Sequence, residues 1–213
     1  MLKKFNIMCV FALTLCTLLI PLNAFSANFS ARSSIVVDMR TGENLFANNE
    51  NEPLSMASTT KIMTALLTLE SGKCAKTVVI TKQMLSSATG TLLYLKEGDR
   101  ITLYDLAAAM LIVSGNDCAD ASAIAVAGSI EDFVHLMNKR ADKIGMENTV
   151  FVTPSGLDSK NHHSTARDMA LLTCEALKNE SFAKIVCSPS MKITVNGEEK
   201  TIYNHNKLLK LNP

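Results

Sequence analysis

A mixed α/β (α+β) chain is predicted by three observations. Short apolar runs joined by turn residues stand near both ends, at residues 34–47 and 191–203. The stretch between them holds several apolar segments of helical length, and no repeat, low-complexity tract or linker divides it. A chain of 213 residues, 47% hydrophobic and 19% charged, suits one globular domain with a full core. The formal charge of +1 gives no basic footprint for nucleic acid, which is excluded as a partner class.

Residues 1–26 stand apart. Lys3 and Lys4 precede an apolar run from Ile7 to Ile20, broken only by Thr14 and Thr17, and Pro21 and Ala24-Phe25-Ser26 follow. This reads as an export signal cleaved after Ser26, leaving 27–213 as the mature part; an uncleaved anchor is the alternative, with an apolar run short for a span of ~20 residues. Leu15 before Cys16 argues against lipoprotein processing. Because the signal holds two lysines and no acid, the remainder carries 19 basic and 20 acidic residues, near −1. Cys74, Cys118, Cys174 and Cys187 stay with it. No pair has metal-ligand spacing, so mostly buried thiols are expected, with Cys174 to Cys187 the one pairing to check.

In chain order, residues 34–38 and 43–47, joined by Met39-Arg40-Thr41-Gly42, read as a hairpin at a sheet edge. Ser58 is placed as the cap of a helix that is apolar on nearly every side and stops at Gly72. Residues 77–80 form a short strand. Thr102-Leu-Tyr-Asp105 is a capping box opening a second buried helix, 103–113, which ends at Ser114-Gly115-Asn116. An alanine-rich helix from Asp117 runs to Gly128. Ser129 caps another, with Ile130, Phe133, Met137, Ala141 and Ile144 at helical spacing and Gly145 as its stop. Residues 151–158 are a loop by their Pro and Gly content, Thr165 caps a helix to about Lys178, and 181–187 is a short helix. Asn196-Gly197 then turns a hairpin between 191–195 and 200–203.

Two motifs carry chemistry. Ser58-Thr59-Thr60-Lys61 puts a hydroxyl and an amine one helical turn apart, and a lysine desolvated by apolar neighbours can lose enough basicity to take a serine's proton. Ser114-Gly115-Asn116 puts two polar side chains between buried helices, where they need partners: Ser114 as a proton relay, Asn116 bonded to Lys61 or to a substrate amide. Each alone is also an ordinary helix cap.

Together, in this order and 53 residues apart from Lys61 to Ser114, they resemble the motifs of penicillin-recognising serine enzymes. From about Ser34 onward the chain is similar to the serine D-alanyl-D-alanine carboxypeptidases, the low-molecular-mass penicillin-binding proteins of peptidase family S11. The matching segments are Ser-Thr-Thr-Lys-Ile-Met-Thr-Ala, Leu-Ile-Val-Ser-Gly-Asn-Asp, Asn-Thr-Val-Phe-Val-Thr-Pro-Ser-Gly-Leu-Asp and His-Ser-Thr-Ala-Arg-Asp-Met-Ala-Leu-Leu. The resemblance implies a β-lactamase/transpeptidase-like fold, with a helical cluster packed on an antiparallel sheet. It implies catalysis by Ser58, Lys61 and Ser114, substrate binding by Asn116, and no cofactor or metal. The substrate would be a peptidoglycan pentapeptide, β-lactams would acylate Ser58, and the enzyme would act outside the cytoplasm.

The family's third motif, Lys-Thr-Gly, occurs nowhere here; Lys76-Thr77-Val78 is the nearest string and lies between the first two motifs. We therefore expect a C-terminally truncated, N-terminal part of the catalytic domain whose later sheet strands are missing, poorly folded and nearly inactive alone. A β-lactamase is the neighbouring alternative, with Glu175 to Asn179 as the one Glu-x-x-x-Asn string, and a non-catalytic wall-binding paralogue is another. His162 and His163 before Asp168 read as a polar loop, because no further ligand has metal spacing. The methionines read as core filler, and the acceptor string Asn28-Phe29-Ser30 is given no weight.

Overall fold

The computed structural model describes residues 30–157 and 159–210; the predicted export signal lies outside them. From Ser33 onward the chain forms one compact unit, and its centre is helical. Helix α1 (Lys61–Glu70) follows a 3-10 turn (Ala57–Thr60), and α3 (Leu103–Val113) and α4 (Asn116–Ala127) pack against it. The short α2 (Lys82–Leu85) lies on α4. Met63, Leu66, Leu106, Met110 and Ile112 are fully buried, as the unbroken apolar runs of α1 and α3 require.

Around that core, α5 (Ile130–Ile144) buries the Phe133, Met137 and Ala141 stripe, while α6 (Ala166–Ala176) and α7 (Glu180–Val186) bury Leu172, Phe182 and Ile185. Three of the predicted caps are in place. Thr102, Ser129 and Thr165 accept the backbone N–H groups of Asp105, Asp132 and Asp168, and Gly145, at φ +87°, ends α5. Arg140 of α5 grips both carboxylate oxygens of Glu70 on α1 (2.8 and 3.1 Å) and one of Glu175 on α6 (2.8 Å), tying three helices by charge-assisted bonds.

An antiparallel sheet covers α3. Its order is β3 (Thr77–Val79), β4 (Arg100–Thr102), β5 (Ser190–Val195) and β6 (Glu198–Tyr203), with Val78, Ile101, Ile193, Val195 and Ile202 buried. Asn196-Gly197 makes the β5–β6 turn with both residues at positive φ. The other hairpin, β1 (Ser34–Val37) and β2 (Asn44–Asn48), was expected at the edge of a sheet. Among the described residues it is a separate two-stranded sheet. It packs on α6, while Val36, Leu45 and Phe46 on its other positions are exposed and meet no further strand.

The cysteines correct a second expectation. All four of the described residues are free thiols, and only Cys118 is buried; Cys74 and Cys174 are half-buried and Cys187 is exposed. Cys118 faces the core on α4, whereas Cys187 follows the last turn of α7, where no element covers it.

Truncating Leu106, fully buried at the middle of α3, to Ala should cost ~2–5 kcal/mol in urea denaturation. Leu136→Ala, at the 40% exposed position on α5, should change stability by less than ~0.5 kcal/mol. Equal losses at the two sites would refute the assignment of the core.

Candidate active site

The segment before α1 was expected to use Ser58 as a helix cap, and it does not. The turn begins at Ala57, held at φ +43°, after Met56, and neither the 3-10 turn nor α1 has a side-chain cap. Ser58 lies inside the turn and is exposed. Its hydroxyl is therefore not spent on orphan backbone N–H groups, and it contacts Lys61 instead, with Nζ donating to Oγ at 3.0 Å.

Lys61 is only 2% exposed. Its amine has one further partner, the Ser155 carbonyl at 2.7 Å. Desolvation lowers its pKa from 10.5 to about 8, partly offset by the negative charge of Asp120 on α4. When the amine is neutral, the same contact runs from the Ser58 hydroxyl to the nitrogen lone pair. That is the geometry of a serine nucleophile and its base.

The carbonyl that holds Lys61 comes from the 151–157 loop, which is pinned at several points. Thr64 Oγ1 donates to the Pro154 carbonyl (2.6 Å), and Asn138 on α5 pairs with both backbone groups of Phe151. His162 is buried. Its Nδ1 accepts the Val152 N–H at 2.9 Å, which puts the ring proton on Nε2, 2.8 Å from Thr60 Oγ1. Gly156 makes the approach possible, since a Cβ there would sit 1.9 Å from the Ala57 carbonyl oxygen, and its φ of +81° already disfavours a side chain.

The second motif lies at the junction of α3 and α4, the two helices that pack on α1. Ser114 is half-buried and turns the chain at φ +62°, and Gly115 precedes α4. Asn116 is buried. Its backbone N–H donates to Thr91 O at 2.8 Å, and Nδ2 donates to Thr89 O. The amide thus bonds the 89–91 loop rather than Lys61, and Oδ1 is buried with no partner among the described residues. Asp117 holds the same loop, its carboxylate accepting the N–H groups of Leu93, Leu95 and Cys118.

Ser58 and Lys61 are thus in direct contact, while Ser114 and Asn116 make no hydrogen bond to either among the described residues. Sequence reasoning missed Ser155, Gly156, Thr60, Thr64, His162 and Asp120. The Thr-Pro-Ser-Gly run was legible as a loop, but not as the wall behind Lys61, and His162 was assigned to a polar loop although the fold buries it. No cluster of three or more potential metal ligands occurs among the described residues. Glu175 is held by Arg140 and Lys178, and Asn179 caps α7, so this Glu-x-x-x-Asn string does not present a free base on a loop. A cavity of about 330 Å³ lined by the β1–β2 hairpin, α5 and α6 contains none of Ser58, Lys61, Ser114 or Asn116.

Gly156→Ala should weaken stability by more than ~3 kcal/mol, or displace the loop and its hold on Lys61, since the clash is with backbone. A melt indistinguishable from the parent would rule out the close approach. Lys61 makes a second test. Between pH ~8 and ~10.5 the unfolded chain keeps a proton on this amine that the folded chain has released, so its contribution to stability rises with pH across that window and is least favourable below it. The stability of the parent relative to Lys61→Met should therefore grow by ~3 kcal/mol from pH 7.5 to 10.5. A flat difference would contradict burial of the amine.

The family described as D-alanyl-D-alanine carboxypeptidase, peptidase S11, matches residues 22–213. The chain is 37% identical over 188 residues to the D-alanyl-D-alanine carboxypeptidase DacF of Bacillus subtilis, covering 86% of this chain and 48% of that protein. It is 42% identical over 152 residues to DacC of Escherichia coli, covering 67% and 38%. The chain thus spans half or less of the length of these relatives. Among solved structures, a penicillin-binding protein homolog from Mycobacterium tuberculosis superposes with a TM-score of 0.80 at 32% identity, covering 86% of this chain and 70% of that one. A mutant of the Streptomyces K15 DD-transpeptidase gives 0.80 at 25% identity, covering 86% and 77%. With two of the motifs in place and the fold shared, the chain belongs to the D-alanyl-D-alanine carboxypeptidase family, peptidase S11.

Proposed function

We propose that residues 27–213 are the N-terminal part of an exported serine D-Ala-D-Ala carboxypeptidase that trims peptidoglycan pentapeptides through an acyl-enzyme on Ser58. The observation that carries the reading is the Lys61 amine, buried, 3.0 Å from Ser58 Oγ and with a pKa near 8. At pH 7 a group with that pKa is neutral in ~10% of molecules, against ~0.03% for an unperturbed lysine, a gain of ~300-fold in available base.

In this mechanism neutral Lys61 takes the Ser58 proton as Oγ attacks the carbonyl of the D-Ala-D-Ala bond. Ser114 passes the proton to the leaving D-alanine amine. Asn116 Oδ1, buried and unpartnered, accepts a substrate amide N–H, which is the group such an atom lacks. Water then attacks the ester and frees the shortened peptide. A β-lactam enters the same step as a cyclic amide and leaves Ser58 acylated. The β-lactamase alternative loses its candidate base, because Glu175 is committed to Arg140 and Lys178. The names of the relatives, DacF and DacC among them, support the substrate class.

A tagged penicillin should label the full-length protein at Ser58, and Ser58→Ala should abolish the label; labelling that persists in that variant would overturn the assignment. The acylation rate should climb with pH about a midpoint near 8, as Lys61 loses its proton, and Lys61→Met should lower it by at least ~10²-fold.

A further inference from the structure

Three stretches of chain meet at His162, and its ring bonds two of them. Its own stretch is fixed by backbone pairs: Val150 exchanges both hydrogen bonds with His163 (2.9 and 3.2 Å), and Leu54 does the same with Ser164 (2.8 and 3.0 Å). The ring is 4% exposed and stands edge-on to Phe151, with 6.1 Å between centroids. Its Nδ1 faces two donors, the N–H groups of Val152 at 2.9 Å and Thr153 at 3.4 Å. Its Nε2 lies 2.8 Å from Oγ1 of the buried Thr60, the last residue of the 3-10 turn and the one before Lys61. Thr153 carries the contact onward, its Oγ1 accepting the Gly156 N–H at 3.1 Å. That N–H belongs to the same peptide group as the Ser155 carbonyl, which meets the Lys61 amine at 2.7 Å.

We propose that His162 is a positioning residue for the base. As the neutral Nε2–H tautomer it grips the Lys61 turn with one ring nitrogen and the 151–157 loop with the other, and so seats the Ser155–Gly156 peptide on the Lys61 amine. This rests on the reading of Lys61 as the base. The tautomer follows from the donors: a backbone N–H needs a lone pair to point at, so Nδ1 is unprotonated and the single ring proton sits on Nε2, aimed at Thr60. The coupling to Lys61 follows from the peptide group. Its N–H and C=O are held trans in one plane, so fixing the Gly156 N–H on Thr153 fixes the direction of the Ser155 carbonyl. An apolar ring in the same place would offer the Val152 N–H no acceptor and Thr60 no donor. With the loop seated, the amine is closed off from water, and desolvation is what keeps it from holding its proton as a solvated lysine does.

The test is His162→Ala in the full-length protein, with Lys61 Nζ followed by NMR of 15N-labelled lysine. Loss of both grips should let water reach the amine and raise its midpoint by ~1 pH unit. The rising limb of Ser58 acylation by a tagged penicillin should move up by the same amount, a loss of ~5-fold in rate at pH 8. His162→Asn, whose carboxamide oxygen can take the place of Nδ1, should bring the midpoint most of the way back. Asp120, whose charge also bears on the amine, is the same in all three proteins, so a difference among them reads the loop. A folded His162→Ala protein with the parent's midpoint overturns the inference, because a residue needed for stability alone would leave the midpoint in place. If the variants do not fold, the parent decides: 15N-labelled histidine should show His162 at pH 8 as the neutral Nε2–H tautomer, and a proton on Nδ1 overturns the inference. A midpoint that shifts in His162→Ala, in a protein whose Ser58 is never acylated even with His162 present, would sink the proposed function and leave the hold of His162 on Lys61 standing.

Discussion

The buried amine of Lys61 is the constraint on which the rest of the site depends. Taking a lysine out of water costs about 3 kcal/mol at neutral pH, judged from its lowered pKa. The amine stays because two oxygens meet it, one from the Ser58 turn and one from the Ser155 carbonyl. Each of those oxygens has to be brought in by separate chain. Ser58 depends on Ala57 accepting a left-handed conformation, and Ser155 on Gly156 having no side chain. The Thr60–His162–Val152 relay and the Thr64–Pro154 bond lock the two segments together.

The helical core supplies the low-dielectric surroundings. Helices α1, α3 and α4 bury one another so fully that polar groups inside them must be satisfied locally, and most are: Thr68 bonds back to Thr64, Asp117 takes three N–H groups, and Arg140 joins three helices at the rim. Asn116 Oδ1 and, further along α4, Ser122 Oγ are the exceptions in these helices among the described residues. Helices hold Lys61 and Asn116, Ser114 turns the chain between α3 and α4, and the loops at 89–95 and 151–157 are stitched to the helices by side-chain bonds. Preorganisation of this kind lets a weak nucleophile work without reorganising its surroundings.

Much of the fold was legible in the sequence. Thr102, Ser129 and Thr165 announced helix starts because a hydroxyl followed three residues later by Asp is a local device, complete within one turn. The β5–β6 hairpin was legible from Asn196-Gly197 for the same reason. The α5 stripe of Phe133, Met137 and Ala141 followed from periodicity alone. Less legible were features that depend on what lies across from them: the first hairpin's isolation from the four-stranded sheet, the exposure of Cys187, and the burial of His162. A residue's neighbours in sequence do not say which surface will cover it.

The sequence by itself determined the long helices, the caps at Thr102, Ser129 and Thr165, the order of the two motifs and the pairing of Ser58 with Lys61, because three residues along a helical turn bring two side chains together whatever the rest does. Tertiary structure alone decided that Ser58 lies within a 3-10 turn with its hydroxyl unspent, that Ser155 closes on Lys61 across 94 positions, and that the amine is buried. Those facts set the proton affinity of the base. Proton affinity answers to burial and to charges brought together from distant parts of the chain, and no local pattern encodes either.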